Sequence, residues 1–144
     1  MMEPEEKKEK HLEFIQSNIA RMNQCSFQMK GWALTVVTAL LALYAASIAP
    51  ELGQGNNVFI FVAIVPTVIF WFLDSFYLQQ ERKFRSLYND LLDEKRSTEI
   101  RDYEMPLNRY CGCQYCLLKI MWSKTEVILY LPIIAGLVVA GIFL

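Results

Sequence analysis

Charge almost vanishes from this chain between Trp32 and Leu78, except at one polar break. The first apolar arm reads WALTVVTALLALYAASIA. The chain breaks at Pro50 to Asn57 and resumes as VFIFVAIVPTVIFWFLDSFYL, with no charged side chain before Asp74. A bilayer core about 30 Å thick needs about 20 apolar helical residues, so each arm can span it. The break holds Pro50, Gly53, Gly55, Asn56 and Asn57, which form turns and end helices. The pattern predicts a transmembrane helical hairpin with spans near 32–49 and 58–75. A third uncharged run, Val127 to Leu144, predicts a third span, kinked at Pro132 and carrying a small-residue face at Gly136 and Ala140. Burying all three runs inside a soluble core would take far more chain than 144 residues.

The flanks have a helical period too. Leu12, Ile15, Ile19, Met22, Ser26 and Met29 follow the 3-4 spacing of a helix that packs on another helix, and Phe14 and Phe27 are expected to widen the stripe. Pro4 suits the first turn, with glutamates at the positive end. Lying flat on the membrane surface is the alternative for this helix. After the second span no Gly or Pro interrupts residues 76–92, and Phe84, Leu87, Tyr88, Leu91 and Leu92 share one face. A hairpin centred near Gly53 sets Trp32 level with Asp74, Lys30 with Phe76, and Met22 with Phe84. The two arms are therefore expected to continue as a two-helix stalk. Residues 93–110 read as a break, with Ser97 and Thr98 capping a short helix that ends at Pro106 and Asn108. Ser123 to Glu126 spells a capping box before the last run.

All 14 Lys and Arg fall within residues 1–31 or 75–124, and the turn between the first two spans carries only Glu51. Cationic loops stay in the cytoplasm, so the N-terminus is expected inside and the C-terminus outside. Trp32, Trp71 and Trp122 would then all lie at the inner interface. The flank before Trp32 is long and acidic as well as basic, unlike the start of a signal peptide. With a net charge of −1, no nucleic-acid partner is expected. No nucleophile motif or phosphate loop points to an enzyme.

Candidate chemistry is sparse. Asp74 is the acid inside an apolar run, read either as a structural partner of Lys30 or as part of an ion pathway or gate. Pro66 removes a backbone hydrogen bond in mid-span and is a candidate hinge. Cys111, Cys113 and Cys116 form C-x-C-x2-C, which could hold zinc or copper with Cys25 or His11 as a fourth ligand, undergo acylation or redox chemistry, or simply pack. No cofactor is expected beyond that metal.

An amphipathic helix ending Lys30-Gly31-Trp32, followed by a second span that ends FWFLDSFYLQQERKFRSLYNDL, resembles the small two-transmembrane effectors of bacterial antiphage defence, the SLATT-type and retron- or CBASS-associated membrane effectors. The resemblance covers about residues 10–95; the third span and the cysteine cluster depart from it. It implies a homo-oligomer in the bacterial inner membrane that compromises the bilayer once triggered. The trigger would be a small ligand or a soluble sensor encoded nearby. Arg82, Lys83, Phe84, Arg85 and Leu87 are the expected trigger or partner contacts, with Asp74, Pro66 and Lys30 in the pathway or gate. The other functional readings are a membrane anchor that recruits a soluble partner through its stalk, and a small transporter subunit.

The expected architecture is an all-α integral membrane protein. A cytoplasmic amphipathic helix (1–31) leads into the hairpin (32–78), a cytoplasmic helix and Cys-containing loop (79–124), and a C-terminal span (125–144).

Overall fold

The computed structural model describes residues 4–48, 55–93, 100 and 103–143. Among these residues every regular element is helical. Helix α1 runs Pro4–Ala46, α2 Val58–Leu92, α3 Leu117–Met121 and α4 Lys124–Phe143, with single 3-10 turns at Leu107–Arg109 and Cys113–Tyr115. Three of these helices, α1, α2 and α4, are long and apolar enough to cross a membrane.

Helix α2 is the middle element, packed on α1 along one side and on α4 along the other. Its inward positions repeat every three or four residues: Ile60, Ala63, Thr67, Asp74, Glu81, Phe84, Leu87 and Leu91 are all buried. The matching line on α1 is His11, Ile15, Asn18, Ser26, Ala33, Val37 and Tyr44. A 3-4 spacing keeps each line facing its partner over many turns. Two apolar clusters result. Val37, Tyr44, Ile60, Ala63 and Leu137 join all three long helices, and Ile15, Phe84, Leu87 and Leu91 pair α1 with α2 beyond the apolar arms. Residues Ile100, Met105, Leu107 and Tyr110 lie over the second cluster.

The loop end of the hairpin is tied by Ser47 Oγ, which accepts from the Asn56 amide at 2.8 Å. A Cβ on Gly55 would stand 2.7 Å from the buried Tyr44 ring, so any larger residue here would force that ring to shift. Much of the outer surface is apolar: Leu43, Val65, Ile69, Ile128, Ile142 and Phe143 are all exposed. Aqueous solvent would disfavour such a surface, whereas lipid would solvate it.

Several expectations need correction. Phe14 and Phe27 do not widen the seam; both are exposed, because they sit about a quarter-turn or more off the buried line. Of the Gly136 and Ala140 pair, Ala140 packs against the cluster that joins the three helices, while Gly136 does not. Open space surrounds Gly136, and the close approach is at Gly141, where a Cβ would stand 3.0 Å from the Phe61 ring. The capping box also fails to form: Ser123 precedes α4, but the Glu126 carboxylate turns inward to Lys30. Pro66 and Pro132 both lie inside continuous helices. Pro50, Gly53, Ser97 and Thr98 lie outside the described residues.

Candidate functional site: an ionic tie among three helices

Buried polar side chains gather where α1, α2 and α4 converge. Asp74 on α2 is fully buried and receives donors from both neighbours. Lys30 Nζ on α1 reaches Asp74 Oδ2 at 2.5 Å, the Tyr130 hydroxyl on α4 donates to the same oxygen at 3.0 Å, and Ser26 Oγ donates to Oδ1. Lys30 also reaches Ser26 Oγ and Glu126 Oε1, each at 3.1 Å. One ammonium therefore serves two buried carboxylates on different helices.

The helical period puts these groups together. Ser26 and Lys30 are one turn apart on the seam of α1, and Glu126 and Tyr130 are one turn apart on the inward face of α4. Trp71, one turn before Ser75 on α2, frames the site. Its ring stacks on Tyr130 with centroids 6.0 Å apart, meets Trp122 edge-on at 6.1 Å, and donates from Nε1 to the Met121 carbonyl at 3.2 Å. The chain thus enters α4 through a fixed corner beside the charges.

Within this network the formal charge is two negative to one positive. Glu126 is fully buried, and its Oε2 has no hydrogen-bond partner among the described residues. A buried charge left without compensation is costly, so the arrangement holds only while Lys30 stays in place. Its side chain retains 26% exposure, and it is the one member open to the outside. Withdrawing the one ammonium would leave both acids without a counter-charge, with Asp74 still bonded by Ser26 and Tyr130.

The sequence-predicted positions fall into three groups. Asp74 and Lys30 are the centre of the tie, while Pro66 lies two turns away, half-buried, with no part in the network. Arg82, Lys83 and Arg85 reach the outside of α2, with Arg85 paired to Glu81 at 2.6 Å. Phe84 and Leu87 are buried, packed with Ile15 of α1. The thiols of Cys111, Cys113 and Cys116 are exposed, and all four cysteines are free. Among the described residues no three His, Cys, Asp or Glu side chains stand close enough to hold a metal ion. Ser26, read only as a seam position, Glu126, read only as a helix cap, and Tyr130 are the members that the sequence did not mark as site residues. The one legible signal was Glu126 and Tyr130 spaced one turn apart at the mouth of an apolar helix.

Away from the spans, Tyr110 donates to Asp90 Oδ2 at 2.8 Å. Burial, together with that carboxylate, pushes its phenol well above the usual tyrosine range, so it remains a donor.

Compared with known proteins, the chain matches no family model, no curated protein and no solved structure.

Proposed function

We propose that this chain is an oligomeric inner-membrane effector that conducts ions or breaches the bilayer when triggered, acting in antiphage defence by abortive infection. In this reading α1, α2 and α4 cross the membrane, with the N-terminus and residues 79–124 in the cytoplasm and the C-terminus in the periplasm. The paired α1 and α2 ends beyond the apolar arms form a cytoplasmic stalk. The observation that carries the proposal is the Lys30–Asp74–Glu126 tie, because it sits where that stalk enters the three spans. A pull or twist on the stalk would act directly on the one cation that compensates two buried acids. Three spans leave little room for a pathway of their own, so conduction requires a ring of copies. The defence role rests on the resemblance in layout between residues 10 and 95.

The test is expression in bacteria with a membrane-potential dye, followed by planar-bilayer conductance of the purified protein. Lys30→Met and Asp74→Asn should change depolarisation at equal protein level. Absence of any depolarisation, with and without the genomic neighbours, overturns the proposal.

A membrane anchor is the second reading. It is favoured by a mostly apolar groove of about 510 Å³ on the α1–α2 pair, lined by Gln16, Ile19, Ala20, Arg85, Tyr88 and Asn89. Under it, Tyr88→Ala would abolish recovery of a soluble partner while Asp74→Asn would be silent.

A further inference from the structure

A second polar feature lies outside the ionic tie, on the side of α2 where residues 109–115 fold back across it. Two hollows of about 540 and 290 Å³ share Ser86, Gln114 and Tyr115 in their linings. The first extends to Asn89, Asp90 and Arg109, the second to Arg82 and Arg85. Three guanidinium-bearing side chains therefore border two adjoining hollows, Arg82 and Arg85 on one and Arg109 on the other.

Its walls are fixed. Tyr115 is buried, its hydroxyl lies 2.6 Å from Ser86 Oγ, and its carbonyl accepts from Gln79 Nε2 at 2.6 Å. The Tyr110 ring stands edge-on to Tyr115 with centroids 6.0 Å apart. The two acids nearby are already engaged, Glu81 by Arg85 and Asp90 by the Tyr110 hydroxyl. Arg82 differs from them: among the described residues its guanidinium makes no hydrogen bond or ion pair.

A guanidinium presents a planar fork of donors that matches phosphate oxygens two at a time. The amides of Asn89 and Gln114 add neutral donors, the lining hydroxyls being already engaged by Arg82, Ser86 and Asp90, and tyrosine rings offer a flat apolar wall. We propose that the depression between α2 and residues 109–115 binds a phosphate-bearing ligand, held through Arg82 and Arg109.

Position leaves two sources for that chemistry. Arg82 follows Asp74 by about two helical turns, ~12 Å along α2. Between them lies α3, with Leu118 exposed, followed by exposed Trp122, as suits a bilayer edge. A lipid headgroup and a soluble phosphate ester can both reach the site. Within the effector reading this is where a trigger would enter, but the binding claim stands whether or not the protein conducts.

The experiment uses the full chain in phosphatidylcholine nanodiscs. Adenosine monophosphate and adenosine are titrated by calorimetry, and a second set of nanodiscs containing phosphatidylglycerol is analysed for retained lipid by native mass spectrometry. The expected result is a preference for adenosine monophosphate over adenosine (a soluble source) or for phosphatidylglycerol, whose phosphate is unmasked, over phosphatidylcholine, whose phosphate is neutralised by its own choline (a lipid source). Arg82→Gln with Arg109→Gln should weaken whichever preference is seen by about tenfold or more. Lys119→Gln, an exposed lysine outside the depression, should leave it unchanged. If the double variant does not fold, Arg82→Lys keeps the charge, removes the fork, and should still weaken binding. The proposal is overturned if neither phosphate-bearing probe is preferred, or if the preference survives these substitutions.

Discussion

Lys30 on α1 bonds Glu126 on α4 across 3.1 Å, although no Cα atoms of those two helices come within 8 Å of each other. The lysine bridges a gap that the backbones leave open, and it passes Asp74 on the way. α1 and α4 are thus joined electrostatically over α2.

Lys30→Met should therefore cost more than its own bonds. It would leave Asp74 and Glu126 buried without a counter-charge, a loss of about 3 kcal/mol or more. Combining it with Asp74→Asn and Glu126→Gln should recover most of that stability, because no buried charge then remains. Thermal unfolding in detergent would show it; equal losses in the single and triple variants would contradict that dependence on charge.

Glu126→Gln is expected to be mild. The amide oxygen can still accept from Lys30, and the excess negative charge goes, so stability should stay within about 1 kcal/mol of the parent. Glu126→Ala removes the acceptor as well and should melt lower. The two variants melted side by side decide whether Glu126 is held by its bond or by its charge.

Most of the seam could be read from the sequence, because a 3-4 spacing is a local property. The line from Leu12 to Ser26 and the line through Phe84, Leu87 and Leu91 meet as that spacing implies. Asp74 was visible as an acid in an apolar run, and Lys30 as its nearest cation across the hairpin. Glu126 was hidden by its own neighbourhood. Ser123-Lys-Thr-Glu126 is spelled like a helix cap, and what turns the carboxylate inward is a lysine 96 positions away. The arginine-bordered depression was equally hidden. It depends on residues 109–115 folding back over α2, and that segment has no periodicity to betray its partner. Phe84 and Leu87 had the opposite problem: their apolar face was plain, but the sequence left open whether α1 or another protein covers it.

Gly141 and Gly136 should respond differently to substitution. A methyl at Gly141 meets the Phe61 ring at 3.0 Å, but that ring is half exposed and can swing outward, so Gly141→Ala should cost about 1 kcal/mol. Gly136 has open space around it. Gly136→Leu should leave the melting of a single chain unchanged and alter the mass of the detergent complex if copies pack on that face. An unchanged mass would remove Gly136 from any interface between copies.

The cysteines report orientation. Cys111, Cys113 and Cys116 are exposed, so a membrane-impermeant maleimide can reach them from whichever side they face. With residues 79–124 in the cytoplasm, intact spheroplasts should remain unlabelled and inverted vesicles should label. The reverse pattern would invert the proposed topology.

Helix α1 runs without interruption from Pro4 to Ala46, about 65 Å at 1.5 Å per residue. An unbroken helix of that length behaves as a stiff shaft. Its two ends move together, so a rotation imposed near Ile15 would also act at Ser26 and Lys30, whose ammonium stands 3.1 Å from Glu126. The apolar seam around Ile15 and the ammonium of Lys30 thus belong to one rigid piece of chain, with no joint between them.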